Sequence, residues 1–236
     1  MPLRTRLGIR HISTIPTPSG GRLPIRITEM TAKNARWWDE HVQPRIDHGA
    51  KKRADQGWNW PLYRTTTRLA GSLLLQKPRA VVIGSEHAAP TFWPCIMLLV
   101  VEAYPALQDH SRNSVFVWYL SPAPADYFAD VVKLTSSETP SATDLMAAGM
   151  DVAITLSYNA RLRGLVGLHA AAAGGDRLIA WYSDPAKGGM NRLQEPHTIP
   201  LGLRRLLAND DRYFYHDEVT AFVASWRMDK YERRGG

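Results

Sequence analysis

Three apolar runs in the middle of the chain constrain its fold more than any other feature. Residues 79–85 (RAVVIGS), 96–103 (IMLLVVEA) and 114–121 (SVFVWYLS) are dense in aliphatic, β-branched and aromatic side chains. Such short runs between breakers read as strands rather than helices. Pro94 and Pro105 bracket the second run, and Pro122 and Pro124 stop the third. The second is apolar almost without interruption, as expected of a strand buried on both faces. The three predict an antiparallel meander.

The flanking segments add helices and further strands. Residues 23–30 (LPIRITEM) alternate at period 2, which predicts a first strand with Ile25 and Ile27 on one face. Asn34 is a candidate cap for a helix running to about His48 and kinked at Pro44. A second helix is predicted over residues 61–76, with Leu62, Leu69, Leu73 and Leu74 as its stripe. After a long connection, with a short helix near 127–134, comes a helix over 143–159. Ser141 and Asp144 stand at capping-box spacing before it. A strand at 164–170, a short helix at 174–182 and a strand at 212–216 follow. A terminal helix over 219–231 is predicted to turn Phe222, Val223 and Trp226 inward. Residues 1–24 carry Arg4, Arg6, Arg10 and Arg22, no acid, and the breakers Pro16, Pro18, Gly20 and Gly21, so they read as a flexible basic arm before a single domain over 25–236.

Composition narrows the function classes. The chain has 236 residues with 29 Lys and Arg against 22 Asp and Glu, a net charge of +7. Residues 1–68 are basic overall and residues 80–160 acidic. A basic first third admits a nucleic-acid partner, but no RNP aromatic motif, zinc-finger spacing or long basic helix accompanies it. Cys95 is the only cysteine, which excludes an intrachain disulfide framework and a cysteine-based metal site. The histidines lack HxH or HxxxH spacing, so no metal is expected. No apolar stretch approaches the ~20 residues of a membrane span. No secretory leader is legible, and a cytoplasmic location is expected. Neither GxGxxG nor GxxxxGK[ST] occurs, so there is no dinucleotide or P-loop signature.

The order of elements, and residues 114–190 in detail, resemble the GNAT superfamily of N-acetyltransferases. SVFVWYLSPAP resembles that family's fourth strand with its bulged end. RGLVGLHA resembles the fifth strand. DRLIAWYSDPAKGGM resembles the helix, tyrosine and loop that follow, with Tyr182 at the tyrosine and Gly189-Met190 at a Gly-Phe position. The resemblance implies an α/β fold: a mixed, mostly antiparallel central sheet flanked by helices and splayed between the fourth and fifth strands. It implies acyl transfer, with acetyl-CoA as co-substrate and an amine of a small molecule, peptide or protein as acceptor. Tyr119, Leu120 and Ser121 would meet the pantetheine arm along the splayed strand. Ser141, Ala142 and Thr143, at the start of the next helix, would meet its pyrophosphate. The family's Q/R-x-x-G-x-G/A loop is absent: residues 138–144 read ETPSATD.

Amine attack on a thioester needs a proton acceptor, a donor to the thioester oxygen and an acid for the departing thiolate. Tyr182 is the candidate acid. Glu102, at the end of an apolar run, is the candidate base, and His169, at the end of the fifth strand near the gap, is a further catalytic candidate. Trp37 and Trp38 in the first helical region, with Glu86 after a strand, are candidates for the acceptor site. Two other readings stand beside the enzyme. One is a GNAT-like fold that has lost turnover and serves as a binding or scaffold protein, on the evidence of the glycine-free loop. The other is a nucleic-acid-associated protein, on the charge of the first third. A homodimer is left open.

Overall fold

The computed structural model describes residues 12–50, 52–73, 77–86, 92–194 and 210–233. They build one eight-stranded sheet of order β1-β2-β3-β4-β5-β6-β8-β7. The strands are β1 (Thr14–Pro16), β2 (Arg22–Glu29), β3 (Lys77–Ser85), β4 (Trp93–Pro105), β5 (Asn113–Pro122), β6 (Val166–His169), β7 (Asn191–Arg192) and β8 (Tyr213–His216). Neighbours from β1 to β5 are antiparallel. β5 and β6 are parallel, and β8 lies antiparallel between β6 and β7. This is the mixed, mostly antiparallel sheet that the sequence led one to expect.

The meander forms for the anticipated reason. In β4, Pro94 to Val101 is buried without a break, and in β5 Ser114 to Val117 is buried as well. Helices α1 (Ala32–His41), α2 (Gln43–Asp47), α3 (Trp60–Leu73), α4 (Ala125–Tyr127), α5 (Ala142–Asn159), α6 (Gly175–Ser183) and α7 (Glu218–Arg233) complete the domain. Every residue of α5 from Ala148 to Ser157 is buried. It approaches β5 at Gly149, where an added Cβ would stand 2.5 Å from Leu120 Cδ1. Ser141 caps α5, its hydroxyl accepting from the Asp144 amide at 3.1 Å.

Several expectations are corrected. Residues 12–24 are not a loose arm: β1 pairs with β2, and Ile12, Ile15 and Leu23 enter the core. Arg4, Arg6 and Arg10 lie outside the described residues. Thr31 caps α1, with Asn34 as its reciprocal partner, because Asn34 stands at the third helical position. The helix breaks at Val42, and Pro44 takes an early position of α2 where its missing N–H costs nothing. Leu62 of α3 is exposed, and the side chains of Leu69, Leu73 and Leu74 lie outside the described residues. Phe222, Val223 and Trp226 of α7 face outward, and Ala221 and Ser225 are buried instead. Small side chains let α7 come close to α5, where Ser225 Oγ stands 3.4 Å from Asp151.

Candidate active site

β5 and β6 share only a short parallel ladder, Val115 to Val117 against Val166 to Leu168. β5 then runs on to Pro122 with no strand partner on that side among the described residues, while β6 ends at His169. The separation begins at a bulge. Leu99 faces Tyr119 and Val100 faces Val117, so Trp118 is an extra residue in β5. A bulge bends its strand and re-aims a side chain. Here it directly follows Val117, the last residue of β5 paired with β6. The opening holds a cavity of about 460 Å³, bounded by the ends of β5 and β6, the first turn of α5, one face of α6 and the 52–58 loop. Trp58, Trp118 and Trp181 give it aromatic walls.

Tyr182 and His169, assigned to chemistry from sequence, both line this cavity. Tyr182 is 5% exposed, and burial pushes its phenol above the ordinary tyrosine range. It stays protonated at neutral pH, which suits a donor. The turn after α6 fixes its backbone: Met190 N–H donates to the Tyr182 carbonyl at 2.9 Å, and Gly188 N–H to that of Trp181 at 3.0 Å. His169 continues β6 one residue past the last parallel pair. Its Nε2 lies 2.8 Å from Asp210 Oδ1. Ala142 and Thr143 also reach the cavity, and so does Leu120.

The arrangement agrees with the sheet that the GNAT resemblance implied. The strands β2 to β5 are antiparallel, the parallel β5–β6 pair opens at a bulge, and β8 lies between β6 and β7. β2 to β6 are the first to fifth strands of the sequence reading, preceded by the added β1. No protein-family model matches the chain, and no curated protein matches it significantly. Among solved structures it is similar to a Tyr-to-Phe variant of the AtaT toxin bound to the C-terminus of the antitoxin AtaR and acetyl-CoA. That match has 12% identity over 84% of this chain and 95% of the other, at a TM-score of 0.43. It is similar also to AtaTR bound with acetyl-CoA, at 13% identity, 84% and 96% coverage and a TM-score of 0.43.

Other sequence candidates fall elsewhere. Glu102 is 3.1 Å from Arg79 Nη1, beside a separate cavity of about 320 Å³. Because β4 runs antiparallel to β5, Glu102 sits at the far end of the sheet from the opening. Glu86 follows β3, two strands from β5, in an ion pair with Arg26 at 3.2 Å. Trp38 is wholly buried, its indole N–H donating to Gln43, so it is core. Trp37 stacks on His41 with ring centroids 3.8 Å apart, outside the cavity. The Tyr119 ring turns away and stacks on Tyr63 at 4.2 Å. Burial, and then Tyr63 beside it, push the Tyr119 phenol up to about 12. Ser121 is fully buried and donates its hydroxyl to Asp55. Ser141 is occupied with Asp144, so of the expected phosphate-binding trio only Ala142 and Thr143 face the opening.

The structure also supplies residues the sequence reading passed over. Asp55 lines the cavity while only 4% exposed, held by both ends of the Arg53 fork and by Ser121. Arg53 donates in addition to the Pro122 carbonyl at 2.7 Å, clamping the 52–58 loop to the end of β5. Lys52 and Arg177 stand on the rim of the same cavity. Nothing local marks these residues, since they are ordinary charges in a polar loop and on a short helix.

Proposed function

We propose that the protein is an acyl-CoA-dependent N-acyltransferase that moves an acetyl group from acetyl-CoA to an amine. The observation that carries this reading is the opening of β5 from β6 at Val117 and Leu168, with Tyr182 and His169 on the cavity it creates. An extended pantetheine arm can lie as an added strand along the β6-facing edge of Trp118 to Ser121, which has no strand partner among the described residues. The first-turn amides of α5, at Ala142 and Thr143, and the cations Lys52 and Arg177 suit its phosphates.

In the proposed reaction the neutral amine attacks the thioester carbonyl, and the tetrahedral intermediate expels the thiolate. Tyr182 donates its phenolic proton to the leaving sulfur, and the amine's proton passes to His169. A phenol that burial keeps protonated is a donor at neutral pH, and an imidazole can accept a proton there. The aromatic walls favour an acceptor with an apolar or flat group beside its amine.

A second reading, a GNAT-like binding protein without turnover, is favoured by Asp144. Its carboxylate sits in the first turn of α5, where it opposes an incoming phosphate. Acetyl-CoA titration separates the two readings. Saturating acetyl-CoA is expected to raise the melting midpoint by roughly 5–10 °C. Pantetheine alone is expected to do little. No shift at millimolar acetyl-CoA defeats the transferase reading, and a shift without thiol release across primary amines favours the binding protein.

A further inference from the structure

Asp210 has no place in the reaction as set out above, yet its geometry is specific. Its Oδ1 lies 2.8 Å from His169 Nε2 and accepts the Arg212 backbone N–H at 3.0 Å. The Arg212 guanidinium is spent on the carbonyls of Ala170, Ala171 and Gly175, which ties the segment entering β8 to the turn between β6 and α6. The carboxylate is therefore held in place from its own chain, with one oxygen aimed at the imidazole. The His169 side chain is 11% exposed and that of Asp210 28%.

We infer that Asp210 is a positioning residue that holds His169 as the proton acceptor of the transfer reaction, an inference that rests on the transferase reading. A carboxylate can only accept, so the hydrogen on Nε2 must point at Asp210. That fixes the tautomer with the lone pair on Nδ1, which has no hydrogen-bond partner among the described residues. As Nδ1 takes the amine's proton, the imidazolium that forms is stabilised by the carboxylate at its other nitrogen. Only the proton moves; no bond to carbon or sulfur forms on His169. The groups facing His169 are consistent with this. Tyr213 on β8 lies against its ring at a centroid distance of 4.6 Å. Arg212 precedes β8, Tyr182 and Arg177 stand on the α6 side of the cavity, and Lys52, Arg53 and Asp55 on its loop side. The Asp55 charge is engaged by Arg53, which leaves Asp210 as the carboxylate directed at the imidazole.

The test uses the full chain with Asp210→Asn, Asp210→Glu, His169→Gln and the double variant His169→Gln/Asp210→Asn. Imidazole nitrogen NMR, assigned with His169→Gln, is expected to show His169 protonated at Nε2 in the wild type and a mixture of tautomers in Asp210→Asn. Acetyl-CoA binding is expected to change less than about twofold in Asp210→Asn, because no contact to the ligand is removed. Thiol release with a panel of primary amines is expected to fall roughly 10–10³-fold in kcat, with the KM for acetyl-CoA little changed. Asp210→Glu should recover part of the rate, and Asp210→Asn should cost little more once His169 is gone. A wild type without a fixed Nε2–H tautomer, or an Asp210→Asn variant with an unchanged kcat, overturns the inference. Wild-type protein that fails to bind acetyl-CoA overturns the transferase reading, a result the NMR measurement keeps distinct from a failure of the pair.

Discussion

A Cβ on Gly188 would stand 2.6 Å from the Tyr182 carbonyl oxygen and equally close to its Cα. Both atoms are backbone at the end of α6, so neither can swing aside. The close approach lets the Gly188 and Met190 amides cap the last carbonyls of α6 and hold Tyr182 on the cavity. Gly188→Ala is expected to cost about 1–3 kcal/mol of stability through overpacking and to displace Tyr182. Denaturant midpoint and thiol release measure the two effects. A variant as stable and as active as the wild type would show that this turn does not position the tyrosine.

Tyr182→Phe removes one hydroxyl from a ring that packs beside Trp181 and Phe214 at centroid distances of 5.2 and 5.5 Å. The rings stay in place, so acetyl-CoA affinity is expected to hold. The chemical step should slow by ~10²–10⁴-fold if the phenol protonates the thiolate. Single-turnover thiol release with a saturating amine reads that step, and an unchanged rate removes Tyr182 from the mechanism.

His216 gives stability a pH dependence independent of the active site. It is fully buried on β8, neither ring nitrogen has a hydrogen-bond partner among the described residues, and burial pushes its pKa down to about 4. The folded chain holds it neutral, while the unfolded chain protonates it below its ordinary pKa of about 6.5. Its contribution is complete above about pH 6.5 and is lost as pH falls towards 4, on the order of 2–3 kcal/mol by pH 4.5. Urea midpoints at pH 7.5 and 4.5, compared with those of His216→Leu, isolate this share. Equal acid sensitivity in the two proteins would assign the effect to other groups.

Asp55→Ala strips Arg53 of its fork partner and leaves the buried Ser121 hydroxyl without its acceptor. The expected cost is about 2–3 kcal/mol, since one member of a largely buried pair is removed. The 52–58 loop also forms a wall of the cavity, so acetyl-CoA affinity should weaken along with stability. Calorimetric binding beside a denaturant midpoint checks this. A variant that loses stability but binds normally would confine Asp55 to a structural role.

Local patterns were enough for the meander, for α5 and for the elements after it except the two-residue β7. The apolar runs at 96–103 and 114–121 and the prolines that stop them act within a few residues, so their message survives in one dimension. The place of Tyr182 at the end of its helix was legible for the same reason, because helix, tyrosine and glycine turn are contiguous. The rest of the cavity depends on chain direction and on distant partners. Asp55 meets Ser121 across 66 residues and His169 meets Asp210 across 41, with no periodicity to announce either pair. Glu102 looked catalytic because an apolar run leads into it, yet the antiparallel course of β4 carries it to the opposite end of the sheet. Burial of α7 turned on the same kind of information. Amphipathic spacing favoured Phe222 and Trp226 as its inner face, but contact with α5 selects the small Ala221 and Ser225, because close approach of two helices is set by steric fit and not by hydrophobicity alone.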